Sequence, residues 1–326
     1  MAKLINAIRK GKFAVFGRAG MDMFADPPGT RADQAQTFHA DLGGSSANTC
    51  AGLCKLGMQS ALVTSVSDDA VGRFCINRLR HYGVDTRYVK VLGGQARTSL
   101  AVYESCIEDF QLVIYRNNAV DFQVTKEDVD CVDYANFGAI IAAGTVFAAE
   151  PSRSATFGAF ENARKAGLPV IFDIDYRPYS WPSAKVASDV LTRAGAASDL
   201  IVGNDEEFGF MAGGVDKGLS KARELAAKGK MVIYKMGEAG ALTLANGAEI
   251  RTGIYPVTAV KPNGAGDSFM AGLLAAIAEG RPLKEAVLRG SACAAIVVSQ
   301  PGCAPAMPTT AVLDAFLASR TGPTDV

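Results

Sequence analysis

Short apolar runs of strand length alternate with helix-length periodic stretches along most of this chain. Residues 13–17, 61–66, 139–143, 169–173, 200–202 and 231–235 read as buried strands. Helical periodicity is clear at residues 47–56, 70–82, 153–166, 217–227, 268–278 and 283–298. A strand that is apolar along its whole length, and not only at every second position, is covered on both faces. The alternation therefore predicts an α/β fold with a mostly parallel sheet between layers of helices. A chain of 326 residues can bury roughly 75% of its unfolded surface, and no repeat or low-complexity linker divides it. Residues 1–326 are read as one domain. One part breaks the rhythm: residues 97–105 and 110–116 are strand-like runs around Ile107-Glu108-Asp109, and residues 36–40 could add a further strand. These predict a hairpin or small edge sheet.

Composition narrows the partners. Lys plus Arg and Asp plus Glu both number 33, so no global field attracts nucleic acid or an anionic membrane. No apolar run reaches the length of a membrane span. The basic start, residues 1–12, is not followed by the long apolar stretch of a secretory signal. The cysteines (Cys50, Cys54, Cys75, Cys106, Cys131, Cys293 and Cys303) are scattered and odd in number, and only His39 and His81 could join them, which argues against zinc. Free thiols suit a reducing cytoplasm. A small-molecule partner is expected.

The chemistry concentrates in Lys261-Pro262-Asn263-Gly264-Ala265-Gly266-Asp267-Ser268-Phe269-Met270-Ala271-Gly272. This reads as a turn that runs into a helix. Gly264, Ala265 and Gly266 leave the backbone bare where the helix starts, so free N–H groups and the positive end of the helix dipole would converge on an anion. Asp267 falls in the first turn, where a carboxylate could take a proton from a hydroxyl attacking a bound phosphate. Other nucleotide motifs are missing. Gly11-Lys12 precedes Phe13 and Gly229-Lys230 precedes Met231, so there is no Walker-type loop, and no Gly-x-Gly-x-x-Gly follows the first strand.

The string around Asp267 resembles the C-terminal signature of the ribokinase-like (PfkB-type) carbohydrate kinases. The segment Gly43-Gly44-Ser45-Ser46-Ala47-Asn48-Thr49-Cys50-Ala51-Gly52-Leu53-Cys54-Lys55-Leu56-Gly57 resembles their N-terminal signature, in the right order and at about the right separation. By itself this second segment would also suit a glycine turn before a core helix. The resemblance spans nearly the whole chain. It implies a ribokinase-like three-layer fold with a small β lid, formed here by about residues 24–42 and 95–118, which often pairs with a second lid in a homodimer. It implies ATP-dependent phosphorylation of the primary hydroxyl of a sugar or sugar acid, with Mg²⁺ and a monovalent cation as cofactors. Gly43, Gly44, Asn48 and Asp22, the last at the end of a Gly17-Arg18-Ala19-Gly20-Met21-Asp22 turn, would hold sugar hydroxyls.

Further segments extend the resemblance. Asn204-Asp205-Glu206-Glu207 is similar to the family's Asn-x-x-Glu motif, which places Asn204 and Glu207 near magnesium, although the same residues would make an ordinary helix start. Lys235-Met236-Gly237-Glu238-Ala239-Gly240 is similar to the ATP-binding loop, so Lys235, Gly237 and Gly240 join the nucleotide site. Phe172-Asp173-Ile174-Asp175-Tyr176-Arg177 resembles the branch that phosphorylates keto sugar acids. There Arg177 would reach nucleotide phosphates or pair with Asp175. A sugar acid needs a carboxylate receptor; Tyr115-Arg116 with Tyr103 is one candidate and Arg18 is a rival. Asn263 departs from the family pattern, and many relatives carry Asp-Thr where this chain has Lys261-Pro262. A fructose or other sugar kinase, a nucleoside kinase and a non-catalytic sugar-binding protein remain as alternatives. The intact Gly-Ala-Gly-Asp argues against the last.

Overall fold

The computed structural model describes residues 2–104, 111–261 and 263–325. Its elements begin with α1 (Ala2–Ile8), β1 (Lys12–Phe16), β2 (Gly20–Asp26), β3 (Thr37–Gly43), α2 (Ser45–Lys55), β4 (Gln59–Ser67), α3 (Ala70–His81) and β5 (Val89–Leu92). The middle of the chain forms β6 (Ser99–Tyr103), β7 (Leu112–Tyr115), α4 (Lys126–Asp130), β8 (Ala139–Ala143), α5 (Ser152–Lys165), β9 (Val170–Asp173), α6 (Ala184–Ala196), β10 (Leu200–Asn204) and α7 (Asp205–Ala212). Then come α8 (Gly218–Ala227), β11 (Met231–Lys235), β12 (Ala241–Ala245), β13 (Ala248–Thr252), α9 (Ala265–Ala278), α10 (Leu283–Val298) and α11 (Thr310–Ala318).

The six expected strands join β5, β12 and β13 in one nine-stranded sheet in the order β13-β12-β11-β10-β9-β8-β1-β4-β5. Every neighbouring pair from β11 to β5 is parallel. Alternation along each strand feeds two separate cores. Val15, Leu62, Ile141, Ile171, Val202 and Ile233 face α2, α9 and α10 on one side. Phe16, Ile140, Phe172, Ile201 and Val232 face α5, α6 and α8 on the other. Both faces are apolar, which is why these strands read as continuous apolar runs. The strand order reverses between β8 and β1, and the carboxyl ends there open onto a crevice, the usual ligand position in such sheets.

Two features differ from the sequence reading. Residues 241–252 form an antiparallel hairpin at the sheet edge that the alternation does not suggest. Its loop is Asn246-Gly247, with φ of 52° and 76°, the left-handed pair that a two-residue hairpin requires. Gly17–Asp22, which reads as a turn, leads straight into β2, so Asp22 stands on a strand.

β2 belongs to a second sheet in the order β3-β2-β6-β7. β6 and β7 are the expected antiparallel pair, with Tyr103 opposite Leu112, while the turn residues 105–110, Cys106 included, lie outside the described residues. Register puts Asp22, Tyr103 and Ile114 on one face of this sheet and Met23, Val102 and Val113 on the other. Among the described residues no helix is long and apolar enough to cross a membrane.

Candidate active site

The first face of the small sheet and the carboxyl ends of β9, β10 and β11 enclose a cleft of about 1160 Å³. Nearly all the residues singled out in the sequence line it: Asp22, Gly44, Asn48, Tyr103, Arg116, Asp175, Arg177, Asn204, Glu207, Lys235, Gly237, Gly240, Gly264, Ala265, Gly266 and Asp267. Gly43 stands just behind the wall. A Cβ there would sit 1.9 Å from Oδ1 of Asp22, so the bare Cα is what makes room for that carboxylate.

Tyr115 is a correction. It is 61% exposed on the outer face of β7, because side chains alternate along a strand and Ile114 takes the cleft side. Arg116 follows it back inward. Its Nη2 pairs with Asp121 Oδ2 at 2.5 Å and donates to the Thr145 carbonyl at 3.1 Å, and its guanidinium lies 4.3 Å from the Phe122 ring.

At the opposite wall α9 starts at Gly264, whose φ of 83° is left-handed and whose Cβ would meet Cys303 Sγ and Val297 at 3.1 Å. Among the described residues no side chain caps this helix. A Cβ on Gly266 would meet only Lys235 Nζ, at 3.5 Å, so glycine at that position leaves open space in front of the N–H groups. Asp267 receives a hydrogen bond from Asn48 Nδ2 at 2.9 Å across 219 positions of sequence. The two glycine-rich segments thus meet at this carboxylate.

Burial pushes the Asp267 carboxyl up, nearby Asp175 adds to that, and Asn48, Arg177 and Lys235 only partly offset it, leaving a pKa of about 7. Asp22 is raised to about 6, mainly by burial, against the pull of Arg18 and a hydrogen bond with Tyr103. Among the described residues its Oδ1 is buried without a partner. Burial also raises Asp175, but Arg177, Ser45, Arg18 and Thr145 outweigh it and hold that carboxyl below the ordinary range. Ser45 Oγ donates to it at 2.6 Å, Thr145 Oγ1 at 3.2 Å, and Arg177 Nη2 pairs with it at 3.0 Å. Asp175 adopts φ of 33°, a conformation that Asp tolerates better than most residues.

Asn204 and Glu207 form a reciprocal capping box: Glu207 N–H donates to Asn204 Oδ1 and Asn204 N–H to Glu207 Oε2, both at 2.8 Å. Sequence reasoning missed Asp173 as a site residue. It ends β9, lines the cleft, and is raised well above the ordinary value by burial together with Glu207, Asp175 and Asp267, against the pull of Lys235. The signal was its place at the end of an apolar strand. Also missed was an apolar wall of Ile254, Tyr255, Val257, Ala295 and Val298, which carries no motif. Among the described residues no group of three or more His, Cys, Asp or Glu converges as a closed metal site. Asp173 and Glu207 do offer the oxygen donors that magnesium prefers beside phosphate.

Comparison with known proteins agrees with this geometry. The pattern that defines the pfkB family of carbohydrate kinases matches residues 10–310. The 5-dehydro-2-deoxygluconokinase of Photobacterium profundum is 36% identical over 312 residues, covering 94% of this chain and 94% of the relative. The enzyme of the same name from Geobacillus kaustophilus is 33% identical, covering 94% of this chain and 93% of its own. Among solved structures, a fructokinase double mutant from Vibrio cholerae O395 with fructose, ADP and potassium bound superposes with a TM-score of 0.82 at 25% identity, over 94% of this chain and 98% of its own.

The electrostatics predict a pH signature. The folded pKa of Asp267, about 7, lies above its ordinary 3.8, so the protonated form stabilises the fold and that stability is lost as pH rises through about 7. Asp267→Asn keeps the shape and removes the poorly solvated charge. Its melting temperature is expected to exceed that of the unmodified protein at pH 8, with a smaller gain at pH 5. Thermal melts at both pH values check this; a lower melting temperature at pH 8 would show that the ionised carboxylate stabilises the fold.

Proposed function

The chain belongs to the pfkB family of carbohydrate kinases and is a sugar kinase, and we propose that its substrate is the sugar acid 5-dehydro-2-deoxy-D-gluconate, phosphorylated on its primary hydroxyl by ATP. The observation that carries the catalytic part is the half-buried Asp267 in the first turn of α9, directly behind a bare glycine loop and bonded by Asn48. The names of the relatives from Photobacterium and Geobacillus support the substrate.

In this reading Asp267 takes the proton of the attacking hydroxyl. Its raised pKa suits that task, because a base titrating near neutral pH combines availability with proton affinity. Asn48 orients the carboxylate, and the N–H groups of residues 265–267 stabilise charge on the transferred phosphoryl group. Asp22, with one oxygen unpartnered, accepts hydrogen bonds from sugar hydroxyls. Lys235 and Arg177 meet the phosphates, and the apolar wall around Tyr255 receives the base of ATP. Asp173 and Glu207 would hold magnesium through its waters, with Asn204 fixing Glu207 by the capping box. When bound, magnesium neutralises phosphate charge beside a carboxylate cluster that otherwise repels it.

The outer face of the small sheet supports a homodimer. Met23, Phe38, Ala40, Val102, Val113 and Tyr115 share that face by register, and Val113 and Tyr115 are 46% and 61% exposed. An apolar sheet face of this kind suits a second copy of the same surface. Val113→Lys is expected to shift sedimentation toward the monomer; an unchanged monomer–dimer balance would place the contact elsewhere.

An ADP-release assay across sugar acids, neutral sugars and nucleosides tests the substrate. 5-Dehydro-2-deoxygluconate is expected to be turned over far better than fructose or ribose, and Glu207→Gln to shift the magnesium titration to higher concentration. Preference for fructose would contradict the sugar-acid reading and leave the kinase itself standing.

A further inference from the structure

Three arginines line the cleft, and their surroundings differ. Arg177 is paired with Asp175 at 3.0 Å. Arg116 is buried and paired with Asp121 at 2.5 Å; its other hydrogen bonds go to the Thr145 carbonyl and to Ser180 Oγ at 3.4 Å, and its Nε is buried without a partner among the described residues. Both guanidinium charges are already met by a carboxylate of the protein. Arg18 is in no ion-pair contact among the described residues. Among those residues its side chain makes a single hydrogen bond, from Nη1 to Ser99 Oγ at 2.8 Å. A guanidinium has five N–H donors in a planar fork, so this cleft-lining side chain has donors left for a ligand, while Asp22 and Asp121 attract its charge without an ion-pair contact.

The backbone around Arg18 is built to hold it there. Gly20 lies under the guanidinium: a Cβ at that position would come within 2.8 Å of both Arg18 Nη1 and Ser99 Oγ. Gly44 presses against the Arg18 carbonyl, which a Cβ would meet at 2.3 Å, and Ala47 N–H donates to the same carbonyl at 3.3 Å. The main chain is thus pinned by the start of α2 and the side chain by β6. Asp22, the hydroxyl acceptor proposed above, lines the same end of the cleft, with Tyr103 bonded to it. A fixed cation beside a hydroxyl acceptor matches a ligand with a carboxylate at one end and hydroxyls along its length.

We infer that Arg18 is the carboxylate receptor that selects a sugar acid over a neutral sugar, and that Arg116 fastens β7 of the small sheet to the body of the protein. This rests on the sugar-acid reading above. Arg116 bridges that sheet to Asp121 and Thr145, as a structural tie would.

Steady-state kinetics of Arg18→Gln, Arg18→Lys, Ser99→Ala and Arg116→Gln, each with 5-dehydro-2-deoxygluconate and with fructose at saturating ATP, tests the inference. Loss of a charge-assisted pair is expected to lower kcat/KM of Arg18→Gln for the acid by about tenfold or more beyond its effect on fructose. That loss should lie in KM for the acid more than in kcat, with KM for ATP moving far less. Arg18→Lys should keep part of the preference, and Ser99→Ala should weaken it in the same direction. Arg116→Gln should lower the melting temperature and affect both sugars alike. Equal losses for acid and neutral sugar in Arg18→Gln, or a selective loss of the acid in Arg116→Gln, would overturn the assignment. Should Arg18→Gln fail to fold, an unchanged preference in Ser99→Ala and Arg18→Lys together would overturn it. The unmodified protein separates the two levels: a preference for fructose removes the sugar-acid reading and this inference with it, whereas a strong acid preference unaffected by the Arg18 variants removes only the inference.

Discussion

The site depends on one half-buried carboxylate held by one hydrogen bond. Asn48 on α2 donates to Asp267 on α9 at 2.9 Å, and this contact ties an early helix to a late one inside the same core layer. Burying Asp267 is unfavourable, which is why its pKa rises to about 7. The fold tolerates this because apolar packing of α2 and α9 holds the two side chains together. Ala47, Ala51, Phe269, Leu273 and Leu274 all belong to that one cluster. Small residues permit the close approach: a Cβ at Gly52 would stand 2.8 Å from the Ala271 methyl. The chemistry is thus positioned by helix packing, and loop geometry adds the bare backbone in front of it.

Asp175 plays a comparable part for the sheet. It accepts from Ser45 at the start of α2 and from Thr145 after β8, and it pairs with Arg177 after β9. One carboxylate therefore gathers three segments at the point where strand order reverses. Its fixed negative charge also helps to raise Asp267, so the structural hub and the proposed base are coupled electrostatically. The cleft ion pairs Arg177–Asp175 and Arg116–Asp121 leave Arg18 as the cleft guanidinium that is in no ion-pair contact among the described residues.

Much of this is legible in the sequence, for physical reasons. Fully apolar strands alternating with helices fix the covered parallel sheet, and the apolar runs 139–143 and 231–235 have the bounds of β8 and β11. The Gly-Ala-Gly-Asp string is legible because backbone access and a carboxylate at one helix start is a specific combination. The differences are equally physical. The Asn246-Gly247 hairpin has its turn chemistry in the sequence, but a strand–helix rhythm does not point to it. Gly20 reads as part of a turn, whereas it is a strand position where a larger residue would strike Arg18. Tyr115 and Arg116 read as a unit, and strand alternation sends them to opposite faces. Asp173 and the apolar wall have no local pattern; only the folding of distant segments brings them to the cleft.

The central claim is that Asp267 accepts the substrate proton. Single-turnover phosphoryl transfer by Asp267→Asn, with ATP binding measured separately, addresses it most directly. The rate is expected to fall by roughly 10²–10⁴ while ATP still binds with nearly the affinity of the unmodified protein. A near-normal rate in the folded variant would contradict the account.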